Sequence, residues 1–387
     1  MLLAGLSGVI SAVTRLGDSV VPKTRQVALR TFPDFDDQGR ELIRALHGTG
    51  VKRVVWLTAD SCAPQPPVVV GADDVRWISA HSIRGLFALW RSRVVIHTHG
   101  MGFYRPSRRT TCVNIWHGMP IKRLDPGSDV GRWQTDVTIA TSDVHARNLA
   151  ETWRLRPEQV RITGLPRNDA LVRASRQSVP LELSRIAQER RLVVWLPTYR
   201  QSAVGQIRSD GVDQGNVFQI PGASPELVNE LAASLDVQLI VKSHPMAPRP
   251  DRSSLSNLEV WCDADLAAAG LTLYELLGHA AVLITDQSSV WVDFLLTERP
   301  IVFAISDLEE YERTRGYYFS PLRDALPGPV VGDLETLRAE LGKALSGSNA
   351  WDVHRHQALS RHHLNADASS AERVAQLVTR LLAGDVR

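Results

Sequence analysis

The chain alternates short runs rich in Val and Ile with longer stretches of helical periodicity, and this alternation restricts the fold more than any other feature. The runs are apolar throughout, which suits strands buried on both faces. Helices between buried strands are typical of parallel sheets covered by helices. The pattern predicts an α/β protein with mostly parallel sheets. Ten strands are predicted, at 25–32, 52–58, 92–98, 137–141, 160–164, 191–197, 237–243, 258–261, 281–285 and 300–305.

The predicted strands fall into two equal groups on either side of the Arg- and Gln-rich segment near 172–190. A chain of 387 residues is long enough for two domains. We therefore predict two doubly wound, Rossmann-type domains facing a central cleft, the first over 25–178 and the second over 179–387. Ligands of such sheets bind beyond the carboxyl ends of the strands. The polar motifs of this chain fall at those positions.

Residues 1–24 form a separate predicted segment with helical periodicity. Two interpretations stay open: the helix lies on an anionic membrane surface, or it packs on its own domain. No basic stretch precedes the apolar run, which disfavours a cleaved signal peptide. No continuous apolar run reaches about 18 residues, so a membrane-spanning helix is not expected. The apolar residues that recur are Leu2, Leu3, Leu6, Ile10, Val13 and Leu16, with the basic residues Arg15, Lys23 and Arg25 following.

Composition excludes several classes of protein. The formal net charge is +2, too small for a polybasic nucleic-acid binder. Cys62, Cys112 and Cys262 lie far apart, which disfavours a disulfide framework or a zinc site and fits a reducing cytoplasm. The chain has no GxGxxG, Walker, GxSxG or HExxH motif, so the usual arguments for a dehydrogenase, NTPase, serine hydrolase or zinc protease do not apply.

The first candidate motif is WHGMPIKR, which contains His117 and Gly118. A neutral imidazole can take a proton from a hydroxyl near pH 7, and glycine allows the backbone to approach a ligand. The alternative is a structural, hydrogen-bonded histidine. The surrounding residues 101–135 favour an anionic substrate, because only Asp125 and Asp129 oppose their basic side chains. These are Arg105, Arg108, Arg109, Lys122, Arg123 and Arg132.

The second candidate is the pair Ser288 and Ser289, which follow a predicted strand and begin a predicted helix over 288–298. The free N–H groups of a helix start favour an anion, and two hydroxyls add donors. An ordinary serine N-cap is the alternative for one serine, whereas two together favour a phosphate cradle. Asp286 can either cap this turn or accept a hydrogen bond from a ribose.

Further candidates follow other predicted strands. Lys242 and His244 can neutralise a leaving phosphate, and Arg167 and Arg200 can bind phosphate or simply lie in a turn or on the surface. No second histidine or carboxylate stands at metal-ligand spacing near His244, so we assign no cofactor. A divalent cation remains an open alternative.

Asp263 and Asp265 form a DxD triplet that we assign to helix capping, as Asn168 or Asp169 can also do. Glu309 and Glu310 can hold ribose hydroxyls or form a solvated charge run.

Between 114 and 332 the chain resembles the CDP-glycerol glycerophosphotransferase family, which includes the teichoic acid primases and polymerases. The similar segments occur in the family's order: WHGMPIKRL, TGLPRNDAL, WLPTYR, VKSHP, ITDQSSVWVDFLLTERPIVFAISDLEEYERTRGYYF and PGPVV. The resemblance implies a GT-B-like fold, a CDP-glycerol or CDP-ribitol-type donor and a lipid-linked or polymer acceptor. It also implies a bacterial cytoplasmic enzyme, peripheral to the inner face of the cell membrane.

The resemblance assigns roles to individual residues. His117 matches the histidine of the WHG motif, the expected base, and His244 matches the second essential histidine of the HP motif. Met119 stands where threonine is common and Gln287 where tyrosine is common, which leaves the acceptor and the number of transferred units open. Asp286, Ser288 and Ser289 match the segment that meets the donor pyrophosphate, and Glu309 and Glu310 match the acidic pair of the DLEEY motif.

The resulting hypothesis is a transfer of polyol phosphate with release of CMP. Gly118, Lys122, Arg167, Arg200 and Lys242 would contact the substrates. Two alternatives stay open: a GT-B glycosyltransferase that uses a nucleotide sugar, and a non-catalytic nucleotide-binding protein on the same scaffold. A nucleic-acid partner is not expected, and the sequence does not indicate an oligomeric state.

Overall fold

The computed structural model describes residues 2–51, 53–59, 75–102, 104–124, 135–198, 212–243, 255–319 and 321–384. Within these residues the chain forms two sheets, of seven and six strands, and every pair of neighbouring strands is parallel. The predicted α/β class with parallel sheets is confirmed. All ten predicted strands are present, and β3, β5 and β13, defined below, are additional.

The first sheet has the strand order β3-β2-β1-β4-β5-β6-β7. The order reverses between β1 and β4, as in a Rossmann sheet, so the loops that follow these two strands flank its topological switch point. The strands are β1 Thr24–Arg30, β2 Val54–Thr58, β3 Val75–Ser79, β4 Ser92–His97, β5 Thr111–Asn114, β6 Val137–Ala140 and β7 Val160–Ile162.

The second sheet has the order β10-β9-β8-β11-β12-β13, with its switch point between β8 and β11. The side chains of β8, β9 and β11 are almost entirely buried, which explains their uninterrupted apolar sequences. The strands are β8 Arg191–Leu196, β9 Val237–Lys242, β10 Leu258–Trp261, β11 Val282–Thr285, β12 Ile301–Ala304 and β13 Val330–Val331.

Helices connect these strands. The first four are α1 Leu2–Val20, α2 Asp37–His47, α3 Ile83–Arg91 and α4 Asp143–Trp153. The next six are α5 Arg167–Ser175, α6 Leu181–Ala187, α7 Pro225–Ser234, α8 Asp263–Ala268, α9 Leu273–His279 and α10 Val290–Phe294. The last five are α11 Leu308–Arg315, α12 Leu322–Ala325, α13 Leu334–Leu345, α14 Asp352–His362 and α15 Ser370–Ala383. Short 3-10 turns occur at Pro157–Gln159 and Leu295–Thr297.

The chain divides into two compact units whose limits differ from the predicted ranges 25–178 and 179–387. The first unit contains Met1–Met119, Leu124–Asp169 and His363–Arg387, and the second contains Pro120–Arg123 and Ala170–His362. The difference arises from contacts between residues distant in sequence. Helix α15 packs against α2, which returns the C-terminal segment to the first unit. Conversely, Lys122 forms an antiparallel bridge with Tyr317 inside the second unit.

Helix α1 packs on its own unit through its polar side. The Trp90 indole at the end of α3 donates to the Thr14 carbonyl at 2.9 Å, and a Cβ on Gly17 would lie 2.2 Å from the Trp90 ring. Asp18 is fully buried. Among residues 9–20 of the helix, the larger apolar side chains are exposed, namely Val9, Ile10, Val13, Leu16 and Val20. Among the described residues, no helix combines the length and hydropathy needed to cross a bilayer.

Candidate active site

His117 lies in the loop after β5, and its ring is held by its neighbours. It stacks on the His99 ring with a centroid distance of 4.0 Å and an interplanar angle of 13°. The Trp116 ring lies 4.3 Å away on a tilted plane. The Nδ1 atom of His117 is 3.4 Å from the Thr98 carbonyl oxygen. Because a carbonyl only accepts, Nδ1 carries the hydrogen in this contact and Nε2 is the basic atom of the neutral ring. This tautomer suits a general base.

The backbone around His117 is fixed by side chains from other elements. The buried Gln38 amide at the start of α2 donates to the carbonyls of Ile115 at 3.0 Å and Trp116 at 3.1 Å. Asn114 Oδ1 accepts the Trp116 N–H at 2.9 Å. These bonds support a left-handed backbone at Trp116, with φ of 49°, next to Gly118, with φ of 142°. A bulky residue in this region is strained, and such strain persists only where the surroundings determine it.

Arg167, predicted to bind phosphate, contacts the His117 backbone. Its guanidinium Nη1 donates to the His117 carbonyl at 2.8 Å, and its backbone N–H donates to Gln38 Oε1 at 3.0 Å. In this position Arg167 orients the loop that carries His117. Asp36 caps α2 by accepting from the Gly39 N–H at 2.8 Å. Burial raises the pKa of Asp36 to about 7, an effect that the nearby Arg167 partly opposes.

The TGLPRNDAL motif joins two distant parts of the first unit. The buried Asp169 carboxylate accepts from the N–H groups of Ser370 at 2.9 Å and Ala371 at 2.8 Å. Asp169 therefore binds the start of α15, 201 residues away, whereas the sequence suggested Asn168 or Asp169 as a local helix cap. Gly164 has a left-handed backbone with φ of 79°, and a Cβ there would lie 2.3 Å from Ser370 Oγ. The motif thus anchors the C-terminal helix.

In the second unit, Asp286 accepts hydrogen bonds across the topological switch point. This buried carboxylate follows β11, and its Oδ2 accepts from Thr198, which follows β8. The distances are 2.9 Å to the Thr198 N–H and 2.7 Å to its hydroxyl. Asp286 therefore links the two loops that flank the switch point. From the residues alone we expected a turn cap or a ribose contact for Asp286, and the family resemblance added a contact with the donor pyrophosphate.

Ser288 and Ser289 follow Asp286 and are both half-buried. The Val290 N–H approaches Ser288 Oγ at 3.3 Å. The predicted helix over 288–298 is shorter than expected, since α10 has only 5 residues before the chain tightens into the 3-10 turn Leu295–Thr297. A phosphate held here would depend on individual N–H and hydroxyl donors more than on a helix dipole.

A cavity of about 650 Å³ lies beside the end of β12 and includes the predicted acidic pair. Glu309 is exposed, whereas Glu310 forms an ion pair with Arg313 at 2.7 Å. The buried Asp307 accepts from Gln287 Nε2 at 3.0 Å and from the Val212 N–H at 2.9 Å, which fixes one wall. The polar residues of its lining are Gln214, Ser306, Asp307, Glu309, Glu310, Arg313 and Arg323.

Lys242 at the end of β9 is buried, and its positive charge is paired with a carboxylate. Its Nζ lies 2.6 Å from Asp263 Oδ1 and donates to the Ser243 carbonyl at 2.9 Å. A contact with pyrophosphate would require this ion pair to rearrange. Only half of the capping assignment for the DxD triplet is confirmed, since Asp265 accepts from the Cys262 N–H at 2.8 Å and Asp263 pairs with Lys242.

Two predicted site residues, His244 and Arg200, lie outside the described residues. Over the described part of the chain, no group of three His, Cys, Asp or Glu side chains is arranged to hold a metal ion. Sequence reasoning did not identify Gln38, Thr98 or His99. The signal available for His99 was the HTHG stretch at the end of β4, which places two histidines at a strand end.

Comparisons with known proteins agree with this architecture. The chain is similar to wall teichoic acid polymerase TagF, with a TM-score of 0.76 and 19% identity over 98% of this chain and 94% of that one. This likeness confirms the predicted GT-B-like pair of Rossmann-type units. The Bacillus subtilis teichoic acid glycerol-phosphate primase is 23% identical over 67% of this chain and 68% of that protein. The Bacillus spizizenii teichoic acid ribitol-phosphate primase is 25% identical over 72% of each.

A family-wide match extends beyond these individual relatives. The family described as CDP-glycerol:poly(glycerophosphate) glycerophosphotransferase matches residues 19–380. This range covers both sheets and most of α15. The chain therefore belongs to the CDP-glycerol:poly(glycerophosphate) glycerophosphotransferase family, whose members are transferases of phosphate-containing groups.

Proposed function

We propose that this protein transfers a polyol phosphate from CDP-glycerol or a related CDP-polyol to a hydroxyl of a lipid-linked or polymer acceptor. The observation that carries the proposal is the fixed ring of His117, whose Nδ1 contact at 3.4 Å from the Thr98 carbonyl leaves Nε2 as the basic atom. A base in this tautomer is what deprotonation of an acceptor hydroxyl requires. Membership of the glycerophosphotransferase family supports the class of donor.

The proposed reaction has one step. The acceptor hydroxyl gives its proton to His117 Nε2 while its oxygen attacks the β-phosphorus of the CDP-polyol. A new P–O bond forms, the bond from this phosphorus to the bridging oxygen breaks, and CMP leaves with the electron pair. The product is a phosphodiester. Most of the rate enhancement would come from in-line positioning and from neutralising the phosphate charge.

The second unit would bind the donor. Ser288 and Ser289 lie beside the switch point, where Asp286 and Thr198 fix the surrounding loops. Their hydroxyl and N–H groups are suitable donors for a diphosphate. Glu309 and Glu310 line the cavity of about 650 Å³, whose size and polar walls suit the ribose and base of a nucleotide. The predicted contributions of Lys242, His244 and Arg200 to neutralising the pyrophosphate charge remain part of the proposal, and Lys122 remains a predicted substrate contact.

A donor panel tests the proposed function. The chain is incubated with CDP-glycerol, CDP-ribitol or UDP-sugars, with bacterial membranes as the source of acceptor, and released nucleotides are quantified. We expect CMP from a CDP-polyol and no UDP from any sugar donor. UDP release would support the glycosyltransferase alternative. Tight CDP binding without release from any donor would support the non-catalytic alternative.

We also propose that the first unit contacts the cytoplasmic membrane surface through α1 and α3. The outer side of α1 exposes Val9, Val13 and Leu16, the last two by 52% and 65%. On the adjoining helix α3, Ile83 is 88% exposed and Phe87 is 46% exposed. Apolar side chains flanked by arginines suit the interface of an anionic bilayer. The flanking arginines are Arg15, Arg84 and Arg91.

We predict that the chain binds vesicles containing phosphatidylglycerol and binds neutral phosphatidylcholine vesicles more weakly. The double substitution Val13→Glu and Leu16→Glu should reduce this binding by more than 10-fold, because burying carboxylates among lipid tails is costly. Sedimentation with vesicles provides the measurement. Leu364→Glu, at a residue 61% exposed elsewhere on the first unit, is the matched control. Equal binding by the double variant and the parent chain would exclude this surface.

A further inference from the structure

His99 lies directly after β4 and covers one face of His117. The two imidazoles are nearly parallel, at 13°, with centroids 4.0 Å apart. The same short segment supplies the Thr98 carbonyl that His117 Nδ1 contacts. The residues 98 and 99 therefore define both the ring plane of His117 and the hydrogen bond that selects its tautomer.

His99 is itself fixed. Its Nδ1 lies 2.9 Å from Thr98 Oγ1, and that hydroxyl oxygen accepts the Phe32 N–H at 3.1 Å. The Phe32 ring meets the His99 ring edge-on, with a centroid distance of 5.4 Å and an angle of 74°. These contacts connect the loops after β1 and β4, which flank the switch point. A ring held in this way can act as a rigid support for a second ring.

A support of this kind matters most for a residue that changes charge. When His117 takes a proton it becomes a cation against the face of His99, and a neutral aromatic face attracts a cation. Protonation of both rings at a centroid distance of 4.0 Å would instead place two like charges in contact. The two rings should therefore titrate as a coupled pair.

Other charged or titratable groups surround this pair. The buried His97 precedes His99 by two residues, and its Nδ1 accepts the Gly100 N–H at 3.1 Å. Arg30 on β1 is paired in register with His97. Arg167 donates to the His117 carbonyl, and Asp36 lies close enough to Arg167 for an electrostatic interaction. Of the two described rings beside His117, the His99 ring is nearly parallel to it at 13°, whereas the Trp116 ring is tilted by 32°.

We propose that His99 is a positioning residue that stacks on His117, holds its Nδ1 against the Thr98 carbonyl and stabilises the imidazolium formed during transfer. This inference rests on the proposed role of His117 as the base. A flat, non-titrating ring at position 99 should preserve the positioning and remove the coupled titration. A methyl group should remove both.

Two substitutions in the full chain separate these effects, with exposed His81→Ala as the control. Nitrogen-15 NMR of the free protein reports which His117 nitrogen carries the hydrogen, and CMP release reports kcat and KM. We expect His99→Ala to lower kcat roughly 10- to 100-fold at unchanged donor KM, since small misplacements of catalytic groups have effects of this size. Its His117 signal should show mixed tautomers. His99→Phe should keep the Nδ1–H tautomer and most of kcat.

The pH dependence of kcat provides a second test, because a purely structural role of His99 would leave it unchanged. In the parent chain both imidazoles should shape the acidic limb of the kcat profile, whereas in His99→Phe this limb should follow a single proton. An unaltered His117 tautomer and kcat in His99→Ala would overturn the inference while leaving the proposed function intact. If no donor yields CMP, the proposed function fails, and the NMR comparison still decides whether His99 positions His117.

Discussion

Replacing His117 by alanine is expected to lower kcat for CMP release by about 10²- to 10⁴-fold, the usual contribution of a general base. The acceptor hydroxyl would then have to lose its proton to water. The substitution also removes the ring that stacks on His99 at 4.0 Å, but it leaves the Gln38 and Arg167 bonds to backbone carbonyls in place. The loop should therefore keep its conformation.

Donor binding separates this prediction from a general loss of structure. The groups proposed to hold CDP-glycerol belong to the second unit, whereas His117 belongs to the first. Calorimetric titration should therefore give His117→Ala a CDP-glycerol affinity within a few-fold of the parent chain, and His81→Ala should retain both binding and turnover. Normal turnover in His117→Ala would show that another group is the base. Lost binding would instead assign His117 to the donor site.

The strands could be predicted from sequence because burial on both faces leaves a continuous apolar run. The strands that were missed lack this signature. Strand β3 at Val75–Ser79 has mostly exposed or half-buried side chains, and β5 at Thr111–Asn114 is short and polar at both ends. Strand β13 has only 2 residues. Their identity as strands comes from pairing with neighbours in the sheet, which local composition does not record.

The sequence made His117 a candidate base because of its residue type and the basic residues around it, and this role stays a prediction. Its supporting contacts were not predictable, because they join residues far apart in the chain. Gln38 reaches the carbonyls of residues 115 and 116, and Asp286 reaches Thr198 across 88 residues. An aspartate at a strand end indicates a hydrogen-bond acceptor, but only the fold specifies its donor. Local sequence therefore suggested caps where the structure has long-range links.

Residues 363–387 belong to the first unit because of contacts with residues far away in the sequence. Helix α15 has an ordinary amphipathic pattern, which predicts a packed helix without identifying the surface on which it packs. That surface is α2, and the Asp169 carboxylate fixes the start of α15. A domain boundary inferred from the order of strands along the chain cannot detect such a crossing.

A buried ion pair at the end of α1 is expected to contribute strongly to the free energy of unfolding. Asp18 is fully buried, and its carboxylate accepts from Lys23 at 2.6 Å, the Ser107 N–H at 2.8 Å and Thr110 at 3.0 Å. The Tyr104 hydroxyl donates to it as well. Burial lowers the pKa of Lys23, and the hydrogen bond to Asp18 opposes that shift. The Asp18 carboxylate thus accepts from four donor groups at once.

Asp18→Ala is therefore expected to lower the free energy of unfolding by roughly 3–5 kcal/mol, because it leaves the Lys23 ammonium buried without its partner. For a unit of this size, the thermal midpoint should fall by about 10 °C. Differential scanning calorimetry gives both values, with the exposed Glu151→Ala expected to stay within about 0.5 kcal/mol of the parent chain. The double variant Asp18→Ala and Lys23→Met should recover part of the loss, since it removes the stranded charge. A change below about 1 kcal/mol in Asp18→Ala would show that this network does not hold α1 on the first unit.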